Sequence, residues 1–168
     1  MIKTTRLSLV PLTMQNLETG LASIRQLSGE LNIPIVADLM EGIASEAIKK
    51  KLAIMHNLPP ALHPWCTYWL LVLDRDNIGM GLAGFKGVPD ADGCVEIGYG
   101  INGIYEGRGF MTEAVCALVE WAFSHPECRQ VIANTLPDNI ASRKVLVKNG
   151  FTETGSAGSE VQYRITRD

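Results

Sequence analysis

The spacing of apolar positions changes several times along the chain, and each change marks an element. Leu7, Leu9 and Val10, interleaved with Ser8, predict a first strand over residues 6–12, with Pro11 marking an edge or an end. Thr13 suits a helix N-cap. Leu17, Leu21, Ile24 and Leu27 then recur on one face of a helix starting at Met14. Leu39, Ile43, Ala47, Ile48, Leu52 and Met55 keep a helical period over Val36 to Asn57, stopped by Pro59 and Pro60. From Tyr68 the period shortens. Trp69 to Leu73 is an unbroken apolar run that turns at Asp74–Asn77 into a second run, Ile78 to Lys86, which predicts a hairpin. Pro89 to Gly93 make the next turn and Val95 to Ile101 a further strand. The expected order is thus strand, two helices and three consecutive antiparallel strands. Met111, Val115, Leu118 and Ala122 then define a helix, with Trp121 and Phe123 beside that face. Gln130 to Leu136 reads as a strand, and Ala141, Val145 and Leu146 as the apolar face of a short helix ended by Gly150. Phe151 opens another strand, and Glu160 to Thr166 can pair back on it as the last.

Composition narrows the class. The 168 residues are 46% apolar and 20% charged, a globular balance, and a chain of this length suits one domain, 1–168. No window approaches the ~18 consecutive apolar residues of a membrane span, and no apolar run follows the charged N-terminus as in a secretory signal. The reading is cytoplasmic, with no membrane partner. A net charge of −3 and scattered basic residues argue against nucleic acid. The four cysteines form no C-x-x-C pair, and His56, His63 and Cys66 are spaced as no common ligand set, so no metal is expected. Gly79 to Gly84 match the G-x-G-x-x-G dinucleotide fingerprint. That motif works only where a strand turns into a helix, and here Phe85, Lys86 and a Pro-Asp turn follow, so a glycine-rich strand is expected.

The chemistry concentrates in Glu96 to Ala114, which passes from strand through loop into helix. Gly107 and Gly109 flank Arg108 where that helix begins. Glycines let backbone approach a ligand closely, and free N–H groups at a helix N-terminus attract anions such as pyrophosphate. The same glycines also suit a plain tight turn. No G-K-[ST] follows them, so a P-loop is absent.

The blocks Glu96-Ile97-Gly98-Tyr99, Tyr105 to Ala114 and Asn139 to Phe151 together resemble the acetyl-CoA-binding core of the GCN5-related N-acetyltransferase superfamily, in its ribosomal-protein-alanine N-acetyltransferase-like branch. The resemblance extends over nearly the whole chain. It implies an α+β fold: one domain with a mixed, mostly antiparallel twisted sheet of about six to seven strands and about four helices. It implies an acyltransferase with acetyl-CoA as cosubstrate. The strand ending at Ile101 would splay from the strand ending near Leu136, with the pantetheine arm in the gap, bonded by Ile101 and Gly103 and from the other side by Asn139. The pyrophosphate would sit on N–H groups of Gly107, Arg108, Gly109, Phe110, Met111 and Thr112. Glu106 and Met111 depart from the usual residues of the phosphate loop, and Gly103 stands where the branch often has Pro.

Direct transfer to an amine needs a base for its proton and a donor for the leaving sulfur. Glu96 is the candidate base, and Ser142 the candidate donor, because the Tyr of many relatives falls at Leu146. An exposed strand-end carboxylate and a capping serine are the plain alternatives. Cys94 and Cys116 lack a His-Asp partner arrangement, which disfavours a thiol nucleophile. The acceptor is an amine, either a peptide N-terminus or a small amine, with His63, Trp65, Tyr68 and Trp69 available as walls. A non-catalytic acyl-CoA sensor is the competing class.

Overall fold

The structure is a computed structural model that describes residues 1–167. Eight strands form one sheet: β1 (Ile2–Lys3), β2 (Leu7–Pro11), β3 (Trp69–Leu73), β4 (Ile78–Phe85), β5 (Cys94–Ile101), β6 (Gln130–Thr135), β7 (Thr152–Ala157) and β8 (Glu160–Thr166). Five α-helices accompany them: α1 (Met14–Ala22), α2 (Ile24–Leu31), α3 (Ile43–Met55), α4 (Phe110–Phe123) and α5 (Ile140–Lys148). The strand order is β1-β2-β3-β4-β5-β6-β8-β7. The α+β class and mixed, mostly antiparallel sheet are as expected, with β1 an added two-residue edge strand.

One contact in the sheet is parallel. β5 meets β6 at three rungs, Cys94–Gln130, Val95–Val131 and Glu96–Ile132. Beyond them β5 keeps only β4, through Ile101 opposite Gly81. β6 keeps only β8, through Thr135 opposite Val161. Each strand follows its remaining partner, and the sheet forks after Glu96.

Burial shows what covers each face. Every residue of β3 is buried, and β4 from Gly79 onward, so helices lie on both sides of that hairpin. This is why its strands read as apolar runs without alternation. In β5 the pattern alternates: Val95 and Ile97 are buried, whereas Glu96 and Gly98 are half-buried and Gly100 is exposed. The buried side faces α4, whose Trp121 stacks on Phe85 with ring centroids 5.8 Å apart. The opposite side is covered over β3 and β4, where Lys51 of α3 lies 4.4 Å from the Tyr68 ring centroid. Over β5 and β6 it is open.

Three expectations change. The helix from Met14 is two helices, because Ser23 is extended (φ −162°, ψ 107°). Ser23 closes α1 through its N–H to the Thr19 carbonyl (2.7 Å) and caps α2 by accepting from Gln26 N–H (3.2 Å). The helix expected from Val36 begins only at Ile43. Val36 gives its N–H to the Gly79 carbonyl (3.0 Å), and Gly42 has φ +54°, so this stretch begins with a bridge to the start of β4 and ends in a turn. Ile43, expected on the apolar face, is 92% exposed. Trp65 and Trp69 are buried in an aromatic cluster with Phe85 and Trp121, and His63 Nε2 bonds the Met55 and Leu58 carbonyls. These side chains pack the core and do not wall an acceptor pocket.

Lys51 is buried at 5% exposure, with its ammonium directed at the carbonyls of Phe85, Thr67 and Cys66. Burial pushes it down from 10.5 to about 8. The folded state thus holds this proton less tightly than the unfolded chain does. The protonated lysine costs stability below pH 8, and that cost fades as pH rises toward 10.5. Wild type should gain on the order of 3 kcal/mol relative to Lys51→Met across that window. Urea unfolding of both proteins at pH 7, 8.5 and 10 measures the difference; a constant difference would contradict the burial.

Candidate active site

The loop from β5 to α4 is shaped by its own side chains and by the residues between β1 and β2. Asn102 accepts from the Ile104 N–H (3.2 Å) and donates to Asp38 (2.9 Å), starting a 3-10 turn over Gly103–Tyr105. Gly107 and Gly109 then take φ of +71° and +79°, which a side chain would strain. Gly109 is the N-cap of α4, and among the described residues no side chain caps that end. Glu113 N–H is the first to bond within the helix, to the Gly109 carbonyl (3.1 Å). The N–H groups of Phe110, Met111 and Thr112 are therefore left for a ligand, at the positive end of the helix dipole.

Glu113 holds this end in place. Its carboxylate accepts from Thr4 Oγ1 (2.6 Å), Arg6 N–H (2.8 Å) and Arg6 Nε (2.7 Å). Arg6 Nη1 donates to the Arg108 carbonyl (3.0 Å), and its guanidinium lies 4.5 Å from the Phe110 ring centroid. Burial works to raise the Glu113 carboxyl, but the hydrogen bonds from Thr4 and Arg6 outweigh it and hold it below the usual range.

Across from α4 stands α5, capped by Asn139, whose side chain accepts from Ser142 N–H (3.0 Å). Between them a cleft of about 790 Å³ opens at the fork. Of the expected residues, Ile101, Gly107, Gly109, Phe110, Met111, Thr112, Asn139 and Ser142 line it. Gly103 and Arg108 are not among the lining residues. Gly103 begins the 3-10 turn and its carbonyl accepts from Glu106 N–H (3.2 Å). Arg108 has its carbonyl bound by Arg6 and its guanidinium 5.9 Å from the Phe110 ring centroid. Glu96 sits at the last shared rung, on the face away from α4, with its carboxylate paired to Lys86.

Lining residues beyond the expected set include Tyr99, Glu106, Lys144 and Lys148. The two lysines are four apart on α5 and bring positive charge opposite the α4 N-terminus, a spacing readable in sequence once the helix is granted. Tyr99 is different. Its hydroxyl lies 3.0 Å from Ser142 Oγ and 3.3 Å from the Ser142 carbonyl, a contact across 43 residues that no local pattern announces. Burial pushes the phenol up to about 12, with the weaker opposing pull of the Ser142 hydrogen bond, so Tyr99 stays neutral at working pH.

The cleft thus lies at the fork of the sheet, with an uncapped helix N-terminus on one wall and a hydroxyl pair on the other. Residues 6–152 match the family model described as acetyltransferase (GNAT) domain, and the chain belongs to that family of enzymes. It is 27% identical over 154 residues to an uncharacterized N-acetyltransferase, YjdG, of Bacillus subtilis, covering 90% of this chain and 89% of that one. The fold is shared with ribosomal-protein-S5-alanine acetyltransferase from Vibrio fischeri, with a TM-score of 0.70, 18% identity and coverage of 99% and 96%. It is shared also with RimL, a ribosomal L7/L12 alpha-N-protein acetyltransferase in complex with coenzyme A, with a TM-score of 0.68, 17% identity and coverage of 97% and 95%.

The Glu113 clamp makes a direct expectation. Glu113→Gln should cost about 1–2 kcal/mol at pH 7, the lower part of the range for charged hydrogen bonds because Arg6 is partly solvated. The carboxyl is depressed in the folded state, so its contribution is present above the ordinary carboxylate pKa and lost as pH falls through the folded one. The gap between wild type and variant should therefore close on acidification below about pH 4.5. Urea titrations at pH 7, 5 and 3.5 read it out.

Proposed function

We propose that the protein transfers an acetyl group from acetyl-CoA to the α-amine of a peptide N-terminus, by direct transfer within a ternary complex. The cleft fits the cosubstrate. The uncapped N–H groups of Phe110 to Thr112, the glycine loop and the two lysines of α5 together suit a pyrophosphate, and the fork admits a narrow chain. In this reading Gly107 to Thr112, with Lys144 and Lys148, hold the phosphates. Ile101, Gly103 and Asn139 flank the pantetheine. Glu106, also in the lining, is a carboxylate that these donors must outweigh.

Acetyl-CoA supplies the acetyl group as a thioester. The arriving amine must lose a proton and the departing sulfur must gain one. Glu96 takes the first, acting through solvent from the fork, with its carboxylate paired to Lys86. Ser142 gives the second. Either hydroxyl of the Tyr99–Ser142 pair can donate to the other, and when the phenol is the donor the serine hydrogen is free to point into the cleft. Tyr99 and Glu96 belong to one strand but to opposite faces of it, so base and acid serve the two sides of the opening. That placement is the observation that carries the reading. An α-amine fits a weakly basic carboxylate, since its pKa near 8 leaves little deprotonation to be done. The relatives named for ribosomal-protein acetylation support a peptide acceptor.

Three measurements test this. Acetyl-CoA at 100 times its dissociation constant should add about 2.7 kcal/mol, or roughly 5–11 °C in melting temperature, and Gly109→Val should remove that shift. Glu96→Gln should lower turnover by roughly 10²- to 10⁴-fold with cofactor affinity nearly unchanged, and Ser142→Ala and Tyr99→Phe by less. Short peptides with free Ala, Ser or Met N-termini should be acetylated, and N-blocked peptides containing Lys should not. A specificity constant a hundredfold higher for a polyamine or aminoglycoside would overturn the peptide assignment.

A further inference from the structure

The open face of the sheet beside the fork carries its own charge pattern. Residues paired across neighbouring strands share a face. Lys86 N–H bonds the Glu96 carbonyl (2.8 Å), Glu96 is paired with Ile132, and Ile132 with Arg164. Lys86, Glu96, Ile132 and Arg164 thus form one row over four strands, on the face away from α4. The floor beside Glu96 is bare backbone. A Cβ on Gly100 would meet nothing within 4 Å, and one on Gly98 only the Lys86 side chain at 3.7 Å. Next along stand Asn134 and Gln162, hydrogen-bonded to each other at 3.3 Å. The result is a trough with a carboxylate at the fork and a guanidinium two strands away.

Arg164 is the anomaly in this row. It is half-buried in β8, and among the described residues its Nε is a buried side-chain nitrogen with no hydrogen-bond partner. None of the salt bridges among the described residues includes it, whereas Lys86 is already committed to Glu96. The enclosed Nε is out of a ligand's reach, but among the described residues the terminal Nη1 and Nη2 are not buried and make no hydrogen bond, so they can meet an anionic acceptor in the trough.

We propose that Arg164 is a specificity residue that binds a carboxylate of the acceptor, so that the preferred substrates are peptides with an acidic residue close behind the reacting N-terminus. This rests on the acyl-transfer reading above. Glu96 and Arg164 stand two strand spacings apart, about 10 Å. An extended peptide covers that in about three residues, which brings the side chains of its second and third residues to the guanidinium. With Lys86 paired to Glu96, Arg164 leaves the trough with an uncompensated cation, which disfavours polyamines and other polycations.

The test uses acetyl-CoA and three peptides differing only at the second and third residues: Ser-Glu-Asp, Ser-Gln-Asn and Ser-Lys-Lys at the N-terminus. Wild type should prefer the acidic peptide over the neutral one by roughly 10- to 100-fold in kcat/KM, the range of a charge-assisted hydrogen bond. In Arg164→Gln the ratio should collapse to within about threefold, and Arg164→Lys should restore part of it. The melting shift with acetyl-CoA checks that each variant is folded. The same peptides are titrated calorimetrically into coenzyme-A-loaded protein. Turnover without an acidic preference, or a preference that survives Arg164→Gln, overturns the assignment of Arg164 alone. No turnover with any amine, but acidic-peptide binding that depends on Arg164, overturns the catalytic reading and leaves the recognition site standing. Neither turnover nor Arg164-dependent binding overturns both.

Discussion

The site depends on the shortness of one ladder. β5 and β6 share three parallel rungs and then part after Glu96. Had the pairing continued, Ile97 to Tyr99 would have met Ala133 to Thr135 and closed the sheet. Instead each strand is held on its outer side by an antiparallel partner, β4 or β8, over the residues that diverge. The backbone groups on the inner sides are thereby left without strand partners, which is costly unless something else meets them. A fork of this kind is an unfilled set of donors and acceptors built at the centre of an otherwise continuous sheet.

The two faces of the fork are electrostatically unlike. On the α4 and α5 side, helix N–H groups and two lysines converge, while Tyr99 is kept neutral by burial. On the other side a carboxylate and two cations stand in a row over bare glycine backbone. The period of β5 makes this possible. Alternate residues of one strand point to opposite faces, so Glu96 and Tyr99, an odd number of positions apart, cannot share a side. In the proposed mechanism a single strand thus separates the group that receives a proton from the pair that gives one.

Legibility in the sequence followed locality. The β3–β4 hairpin, the α4 and α5 faces, and the glycine loop were readable because apolar period, turn residues and glycine placement are properties of neighbouring residues. The break at Ser23 was hidden by a helical period running through it, although serine is a good cap. The late start of α3 was hidden for the opposite reason. Val36 and Leu39 suit a helix, but Val36 is engaged by Gly79, a partner far away in sequence. The aromatic residues after the proline pair looked like pocket walls because aromatics suit both pockets and cores, and only packing separates the two. In the cleft, motif spacing located the α4 N-terminus and Ser142. Tyr99, Lys144 and Lys148 joined the site through tertiary placement, and Arg108 turned out to face Arg6 and Phe110 by its contacts.

The bond between Arg6 and Glu113 closes a loop of 107 residues. Local structure in the glycine loop does not make this bond, which reaches the loop from the residues just before β2. Closing so long a segment carries a chain-entropy cost that must be met before the contact stabilises anything. A growing chain that has made α4 but not yet seated β2 against it therefore has the motif without the cradle. The cradle at the α4 N-terminus is thus a property of the completed fold and not of the glycine motif alone.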